Sequence, residues 1–108
     1  MTDVVLGEFE QLVLLALMRQ GLDGYGVSIA SDIGERTGRD VSIGAVYKTL
    51  DRLERKGWVV SRLGEPTPER GGRRKKHFRL SAMGARVLRQ SMAGLRSMTD
   101  GLESAFKI

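Results

Sequence analysis

Apolar residues recur through the first 57 residues at the three- and four-residue intervals typical of α-helices. This spacing predicts a first helix over about Gly7–Arg19, a second over about Tyr25–Thr37, and a third that Ser42 caps and Gly57 ends. The first helix is apolar on nearly its whole circumference, so it must be covered on more than one side. Two alternatives stay open: a purely central core helix, or a core helix that also contributes to a dimer interface.

The third helix has a clear buried face, because Val46, Leu50 and Leu53 stand at positions i, i+4 and i+7. Only a short turn separates it from the second helix. Two helices joined in this way are typical of a helix-turn-helix.

Two β-strands are predicted next. Trp58–Leu63 and Lys75–Leu80 are rich in β-branched and aromatic residues, and Phe78 and Leu80 should point inward. The connection, Gly64–Arg74, contains both prolines and three glycines, which favours a long hairpin loop.

A single last helix is predicted from the N-cap Ser81 towards Phe106, and Gly94 and Gly101 weaken it and are candidate positions for a kink. Its apolar residues fall on one line, and a small domain cannot cover that whole line by itself. Pairing with a second subunit is favoured over packing within the monomer. With two residues from the first helix, the predicted dimer interface comprises Phe9, Leu14, Leu88, Met92, Leu95, Leu102 and Phe106.

The predicted fold is therefore mainly α (α+β): a winged helix-turn-helix with a C-terminal dimerisation helix. Residues 1–80 should form the DNA-binding domain and residues 81–108 the dimerisation helix, together one compact unit. A chain of 108 residues has a modest core, which burial against a second subunit would support.

Positive charge is concentrated in the middle of the chain. Residues 41–80 hold 11 of the 18 Lys and Arg but only 4 of the 13 acids, whereas residues 1–40 hold 3 bases and 7 acids. A basic surface on one side of a small domain points to a polyanion, and here to double-stranded DNA.

The third helix is predicted to lie in the DNA major groove, so its side chains away from the core are the candidate contacts. Gly44 and Ala45 are small enough for close approach, Lys48 can donate to guanine, and Ser42 and Thr49 can reach a base or a phosphate. Tyr47 has two interpretations, a phosphate contact through its hydroxyl, which we favour, or a ring that completes the core. The set comprises Ser42, Gly44, Ala45, Tyr47, Lys48, Thr49 and Arg52.

The hairpin is predicted to contact the phosphate backbone through cations in a glycine-flanked loop. The alternative is a solvated hairpin whose charge only keeps the protein soluble. The basic third helix beside the hairpin favours the DNA-contact interpretation over this alternative. The predicted contacts are Arg70, Gly72, Arg73, Arg74 and Lys75.

Composition argues against other classes of function. The chain has no cysteine and one histidine, His77, so neither a Cys-based nor a multi-His metal site is expected, and no cofactor is predicted. His77 lies between a lysine and a phenylalanine and suits a surface or phosphate-facing role better than that of a general base. We predict a protein that is not an enzyme. The longest apolar run, residues 12–18, is too short to span a membrane, and a cytoplasmic location is expected.

Four sequence blocks resemble the PadR family of bacterial transcriptional regulators: residues 7–17 (GEFEQLVLLAL), 24–29 (GYGxxI), 44–59 (GAVYKTLDRLERKGWV) and 71–84 (GGRRKKxFxLSxxG). The resemblance implies a homodimeric repressor-type protein that docks the third helix and the wing on a palindromic operator, and that dimerises through its first and last helices. Relatives often carry two tyrosines after the wing, where this chain has His77 and Phe78.

Some family members bind phenolic acids or hydrophobic drugs at the dimer interface. The resemblance thus makes a small hydrophobic effector a candidate partner, with Trp58, Met18, Met83, Met92 and Met98 as residues that could surround it, although methionines at helical spacing more often belong to a core.

Two other functions remain open from sequence alone. A winged helix can serve as a protein-interaction or assembly module without operator binding. It can also belong to another regulator family, such as a multidrug-resistance or metal-responsive type, although the lack of cysteine and of a second histidine argues against the metal-responsive type.

Overall fold

The computed structural model describes residues 5–66 and 74–107. Its element order is that of a winged helix-turn-helix, with three helices, a two-stranded antiparallel wing and a further helical segment, which confirms the predicted fold class. The elements are α1 (Glu8–Gln20), α2 (Gly26–Thr37), α3 (Ile43–Arg55), β1 (Val59–Pro66), β2 (Arg74–Leu80), α4 (Ala82–Thr99) and α5 (Glu103–Phe106).

Helix α1 is the centre of the core, and α2, α3, α4 and β2 all pack against it. Val13, Leu14 and Leu17 are almost completely buried. A helix with apolar residues all round is stable there because several elements cover it. The predicted buried face of α3 is confirmed, since Val46 and Leu50 are fully buried, as is Leu53.

Both predicted serine caps are present. The Ser42 hydroxyl accepts a hydrogen bond from the Ala45 N–H at 3.0 Å, and the Ser81 hydroxyl accepts one from the Gly84 N–H at 3.0 Å. Ser81 also donates to the Gly57 carbonyl at 2.6 Å. The second cap therefore joins the start of α4 to the turn that follows α3.

The two strands of the wing are longer than the sequence pattern predicts, since β1 continues from Leu63 to Pro66 and β2 begins at Arg74. Their register pairs Val59 with Leu80 and Ser61 with Phe78. Phe78 is buried and Leu80 is half-buried, as the alternation predicts. Gly24, in the connection between α1 and α2, forms a further bridge to Phe78 on the other side of β2.

The prediction of one unbroken last helix is wrong. Helix α4 ends at Thr99, Asp100 is extended (ψ 129°), Gly101 takes a φ of +84°, and a separate short helix α5 follows. Glycine adopts this φ without the steric cost that a Cβ brings. Leu102 and Phe106 consequently do not continue the apolar line of α4.

Within residues 5–66 and 74–107, no helix combines the length and apolar character needed to cross a membrane. The same residues contain no cluster of three His, Cys, Asp or Glu side chains suited to a metal ion.

Candidate nucleic-acid interface

The N-terminal half of α3 presents small and polar residues to solvent. Ser42, Gly44, Ala45 and Lys48 are all exposed, on the side opposite the buried face. A Cβ added at Gly44 would meet no atom within 4 Å. The backbone of this first turn is therefore open to close approach by another molecule, as the sequence predicts.

The cations of α3 differ in their partners. Lys48 makes no ion pair within the described parts of the chain, whereas Arg55 pairs with Asp51 at 2.9 Å. Arg52 turns towards α1, where its Nε donates to Glu10 Oε2 at 3.3 Å. Arg52 was predicted to contact DNA, but here it ties α3 to α1.

Glu10 is a buried carboxylate that three groups stabilise in its charged form. Burial alone would raise its pKa, but the Gly7 N–H, at 2.9 Å, together with Arg52 and Lys56, outweighs that effect and holds the pKa below the usual value. The charges at the C-terminal end of α3 are thus used within the domain, and Lys48 stays available.

Thr49 is a correction to the predicted contact set. Its side chain is only 3% exposed, between Val46 and Leu53 on the buried stripe of α3. A residue enclosed in this way cannot reach a base or a phosphate while the helix stays packed.

Tyr47 fits parts of both interpretations. Its ring packs edge-on against Phe78 with 6.4 Å between the centroids, and it lies directly over Gly26. The residue is nevertheless 41% exposed. The ring completes the packing between α2, α3 and β2, so the hydroxyl interpretation stays a prediction.

The wing adds cations beside α3. Lys75 is exposed, and its Nζ lies 4.7 Å from the centre of the Tyr25 ring, whereas Lys76 pairs with Glu54 at 3.7 Å. Arg74 is the first residue of β2. The predicted contacts Arg70, Gly72 and Arg73 lie outside the described residues.

His77 does not face outward as the sequence suggested. It is half-buried against Tyr25, with ring centroids 5.9 Å apart, and its buried Nδ1 has no hydrogen-bond partner among the described residues. Its position makes it part of the packing between the wing and the start of α2.

The predicted dimer residues divide into two groups. Leu14 and Leu88 are at most 1% exposed, so the core of their own subunit encloses them, although Leu88 also lines a groove between α1 and α4. Phe9 and Met92 are half-buried, while Leu95, Leu102 and Phe106 are 48%, 46% and 57% exposed. Periodicity identified apolar residues but could not separate those already covered.

An open groove of about 460 Å³ lies between α1 and α4. Its apolar lining includes Leu15, Met18 and Met92, and Arg89 and Arg96 also line it. Trp58, Met83 and Met98 do not line this groove, so of the residues suggested for an effector only Met18 and Met92 are brought together there. Leu15 and Met18 were not among the predicted dimer residues, and Met18 was predicted only as an effector residue, although the apolar circumference of α1 was the available signal.

Comparison with known proteins supports the regulator interpretation. A family model described as the transcriptional regulator PadR-like family matches residues 14–90. No curated protein matches the chain.

Similar solved structures share the architecture. A PadR family transcription regulator from Clostridium difficile R20291 is 24% identical with a TM-score of 0.74, and the match covers 94% of this chain and all of that one. A PadR family regulator from Eggerthella lenta is 25% identical with a TM-score of 0.67 over 92% and 86% of the two chains. MarR from E. coli is 26% identical with a TM-score of 0.58, but the match covers only 55% of MarR and 80% of this chain.

Proposed function

Because the chain belongs to the PadR-like family of transcriptional regulators, we propose that it is a homodimeric repressor that binds a palindromic DNA operator. Membership of this family implies regulation through DNA binding and not enzymatic activity. The observation that carries the proposal for this chain is the exposed first half of α3, where Lys48 has no acidic partner among the described residues and stands among Ser42, Gly44 and Ala45.

Base reading is assigned to the start of α3. The small residues let the helix enter the major groove closely, and the Lys48 ammonium then donates to guanine O6 or N7. The wing supplies phosphate contacts through Lys75, joined by Arg70, Gly72, Arg73 and Arg74. Phosphate contacts fix the position of the protein on DNA but carry no sequence information.

The test is a comparison of two single-charge variants of one helix. Operator sequences are first selected from random DNA with the wild-type protein, and affinity is then measured for operator and for random DNA at one salt concentration. Lys48→Ala should reduce discrimination by about 5- to 100-fold. The control Arg55→Ala, at the other end of α3, should leave the ratio unchanged.

Two results would contradict this assignment. Unchanged discrimination by Lys48→Ala would remove Lys48 from base reading. If the wild-type protein retains no DNA at physiological salt, the alternative of a winged-helix protein-interaction or assembly module replaces operator binding.

The homodimer is proposed to form through the groove between α1 and α4. The groove is largely apolar and carries Arg89 and Arg96, which have no ion-pair partner within the described residues. Helix α5 buries none of its own side chains. Its N-cap residue Leu102 and its last residue Phe106 are exposed, and it carries the acid Glu103 with Asp100 just before it. A two-fold axis would let these complementary surfaces meet twice, with recognition helices roughly 34 Å, or a multiple of it, apart.

Repression is proposed to be steric, since a dimer bound across a promoter excludes other proteins from that DNA. The proposed location is the cytoplasm, where this DNA lies. A small hydrophobic effector would enter the same groove beside Met18 and Met92. Transcription in vitro from a template with the selected operator should fall as the protein is added. A rise would reverse the proposed sign of regulation.

A further inference from the structure

Three consecutive residues, Gly24-Tyr25-Gly26, connect α1 to α2 and contact both parts of the proposed DNA-binding surface. Gly24 contacts the wing through its backbone, because its carbonyl accepts a hydrogen bond from the Phe78 N–H at 2.7 Å. A Cβ at Gly24 would lie 2.9 Å from Leu17 and 3.2 Å from the Phe78 carbonyl oxygen. Only glycine fits this approach without displacing the neighbouring atoms.

Gly26 contacts the recognition helix. A Cβ there would lie 2.3–2.6 Å from three atoms of the Tyr47 side chain, so the missing side chain leaves the space that the ring fills. Tyr47 in turn packs edge-on against Phe78 of the wing. The segment is therefore held between α3 and β2.

Tyr25 lies between these two contacts and packs against side chains of the wing. Its ring is 4.7 Å from the Lys75 Nζ and 5.9 Å from the centroid of the His77 ring, at 72° to it. Its own backbone is fixed, since it caps α2 and its N–H donates to the Ser28 hydroxyl at 3.1 Å. The ring is half-buried while Lys75 remains exposed.

Both described wing lysines lie over a ring, Lys75 at 4.7 Å from the Tyr25 centroid and Lys76 at 5.4 Å from that of Phe78, but Lys76 is also paired with Glu54, whereas Lys75 has no acidic partner among the described residues. An aromatic ring attracts an ammonium group through its quadrupole and leaves the outer side of that group free for an anion. A lysine held in this way loses less side-chain entropy when it contacts a phosphate.

We propose that Tyr25 is a positioning residue for DNA binding: it holds the Lys75 ammonium at a fixed place relative to α3, so that the wing contacts a phosphate when the helix enters the groove. The inference rests on the proposed function, but no residue of the segment 24–26 was assigned a role there. Tyr25 acts through Lys75 and does not itself contact DNA.

The experiment compares Tyr25→Leu, Tyr25→Phe, Lys75→Gln and the double variant Tyr25→Leu/Lys75→Gln on the selected operator over a series of salt concentrations. Lys75→Gln should reduce the slope of log affinity against log salt by about 0.9, the loss of one phosphate contact. Tyr25→Leu should weaken binding about two- to fivefold, in line with the strength of an exposed cation–π pair. Tyr25→Phe keeps a ring and should restore most of the affinity.

The double variant identifies the route of the effect. It should bind no more weakly than Lys75→Gln alone, because Tyr25 has nothing left to position. Multiplied effects of the two changes would overturn the inference, since Tyr25 would then act independently of Lys75. Binding by Tyr25→Phe as weak as that by Tyr25→Leu would also overturn it, because the hydroxyl would be the functional group.

A measurement on the folded wild-type protein covers the case in which Tyr25→Leu does not fold. The NMR signals of the Lys75 ε-methylene protons should be shifted upfield by the Tyr25 ring, and the shift should persist in the operator complex. Loss of the shift on DNA binding would overturn the inference. A normal salt slope for Lys75→Gln would do so too, while Lys48→Ala could still show lost discrimination and leave the proposed function intact.

Discussion

Gly84 lies where α4 begins against the start of β1, and a Cβ there would be 2.0 Å from the Trp58 carbonyl oxygen. Because this neighbour is backbone, it cannot move aside as a flexible side chain would. Gly84→Ala should therefore lower the free energy of unfolding by about 1–3 kcal/mol. Urea denaturation followed by circular dichroism measures it.

Gly44→Ala is the matched control, since it adds the same methyl group to a helix where nothing lies within 4 Å. It should leave stability unchanged or raise it by up to about 1 kcal/mol, because alanine favours a helix. Equal losses in both variants would show that the contact at Gly84 is not responsible.

Glu10 provides a test by pH. Its pKa is lowered by folding, so its contribution to stability is present above its unfolded-state pKa and is lost as the pH falls through the lower folded-state value. Glu10→Gln should cost roughly 1–2 kcal/mol at pH 7, and the difference from wild type should shrink as the solution becomes more acidic.

Glu8→Gln serves as the comparison for Glu10. Its carboxylate also pairs with an arginine, Arg39, but its side chain is 70% exposed. A solvated ion pair contributes little, so stability should change by less than about 1 kcal/mol. A gap between Glu10→Gln and wild type that stays constant down to acidic pH would contradict the role assigned to the Glu10 charge.

Removing the two serine caps should lower the stability of the protein by unequal amounts. Ser42→Ala removes one hydrogen bond at the start of α3, whereas Ser81→Ala removes the cap of α4 and the bond to the Gly57 carbonyl. Thermal unfolding without DNA should show a loss of about 1 kcal/mol for Ser42→Ala and about 2 kcal/mol for Ser81→Ala. The reverse order would mean that the link to the α3–β1 turn adds nothing.

The helices and strands followed from local patterns because caps, glycines and apolar spacing act over a few residues. The extent to which each side chain is buried did not follow from these local patterns. Thr49 is not one of the three apolar residues that predicted the buried face of α3. It is buried all the same, because α1, α2 and β1 all pack against α3 and enclose a wider face. The sequence marks both Gly94 and Gly101 as weak points of the last helix but does not distinguish them, and in the structure α4 continues through Gly94 while Gly101 takes a positive φ.

The sequence identified the basic segment of the chain but not which of its cations are paired with acids in the fold. The acidic residues 1–40 and the basic residues 41–80 meet where Glu10 pairs with Arg52 and Lys56. Further pairs form within each segment, Glu8 with Arg39 and Glu54 with Lys76. Folding thereby pairs Arg52, a predicted DNA contact, and also Lys56 and Lys76 of the basic segment with acids of the domain. Lys48 and Lys75 keep their charge free of acidic partners in the described chain, which concentrates the proposed contacts at the start of α3 and on the wing strand.

Assembly of the whole molecule can be tested with two exposed apolar residues of similar accessibility. Met18, in the groove between α1 and α4, is 45% exposed, and Val27, on α2 and outside that groove, is 51% exposed. Met18→Asp introduces a charge into the proposed dimer surface, where desolvation is costly. Val27→Asp introduces the same charge where water remains.

Sedimentation equilibrium over a range of protein concentrations should give a dimer for the wild-type protein and for Val27→Asp, and a monomer at the same concentrations for Met18→Asp. The Met18 variant should keep its helical circular dichroism, since that side chain is not part of the core. Its affinity for a full palindrome should fall towards that for a single half-site, because two linked contacts become two separate ones. A Met18→Asp dimer as tight as wild type would exclude this groove as the interface, and a monomeric wild-type protein would exclude the dimer.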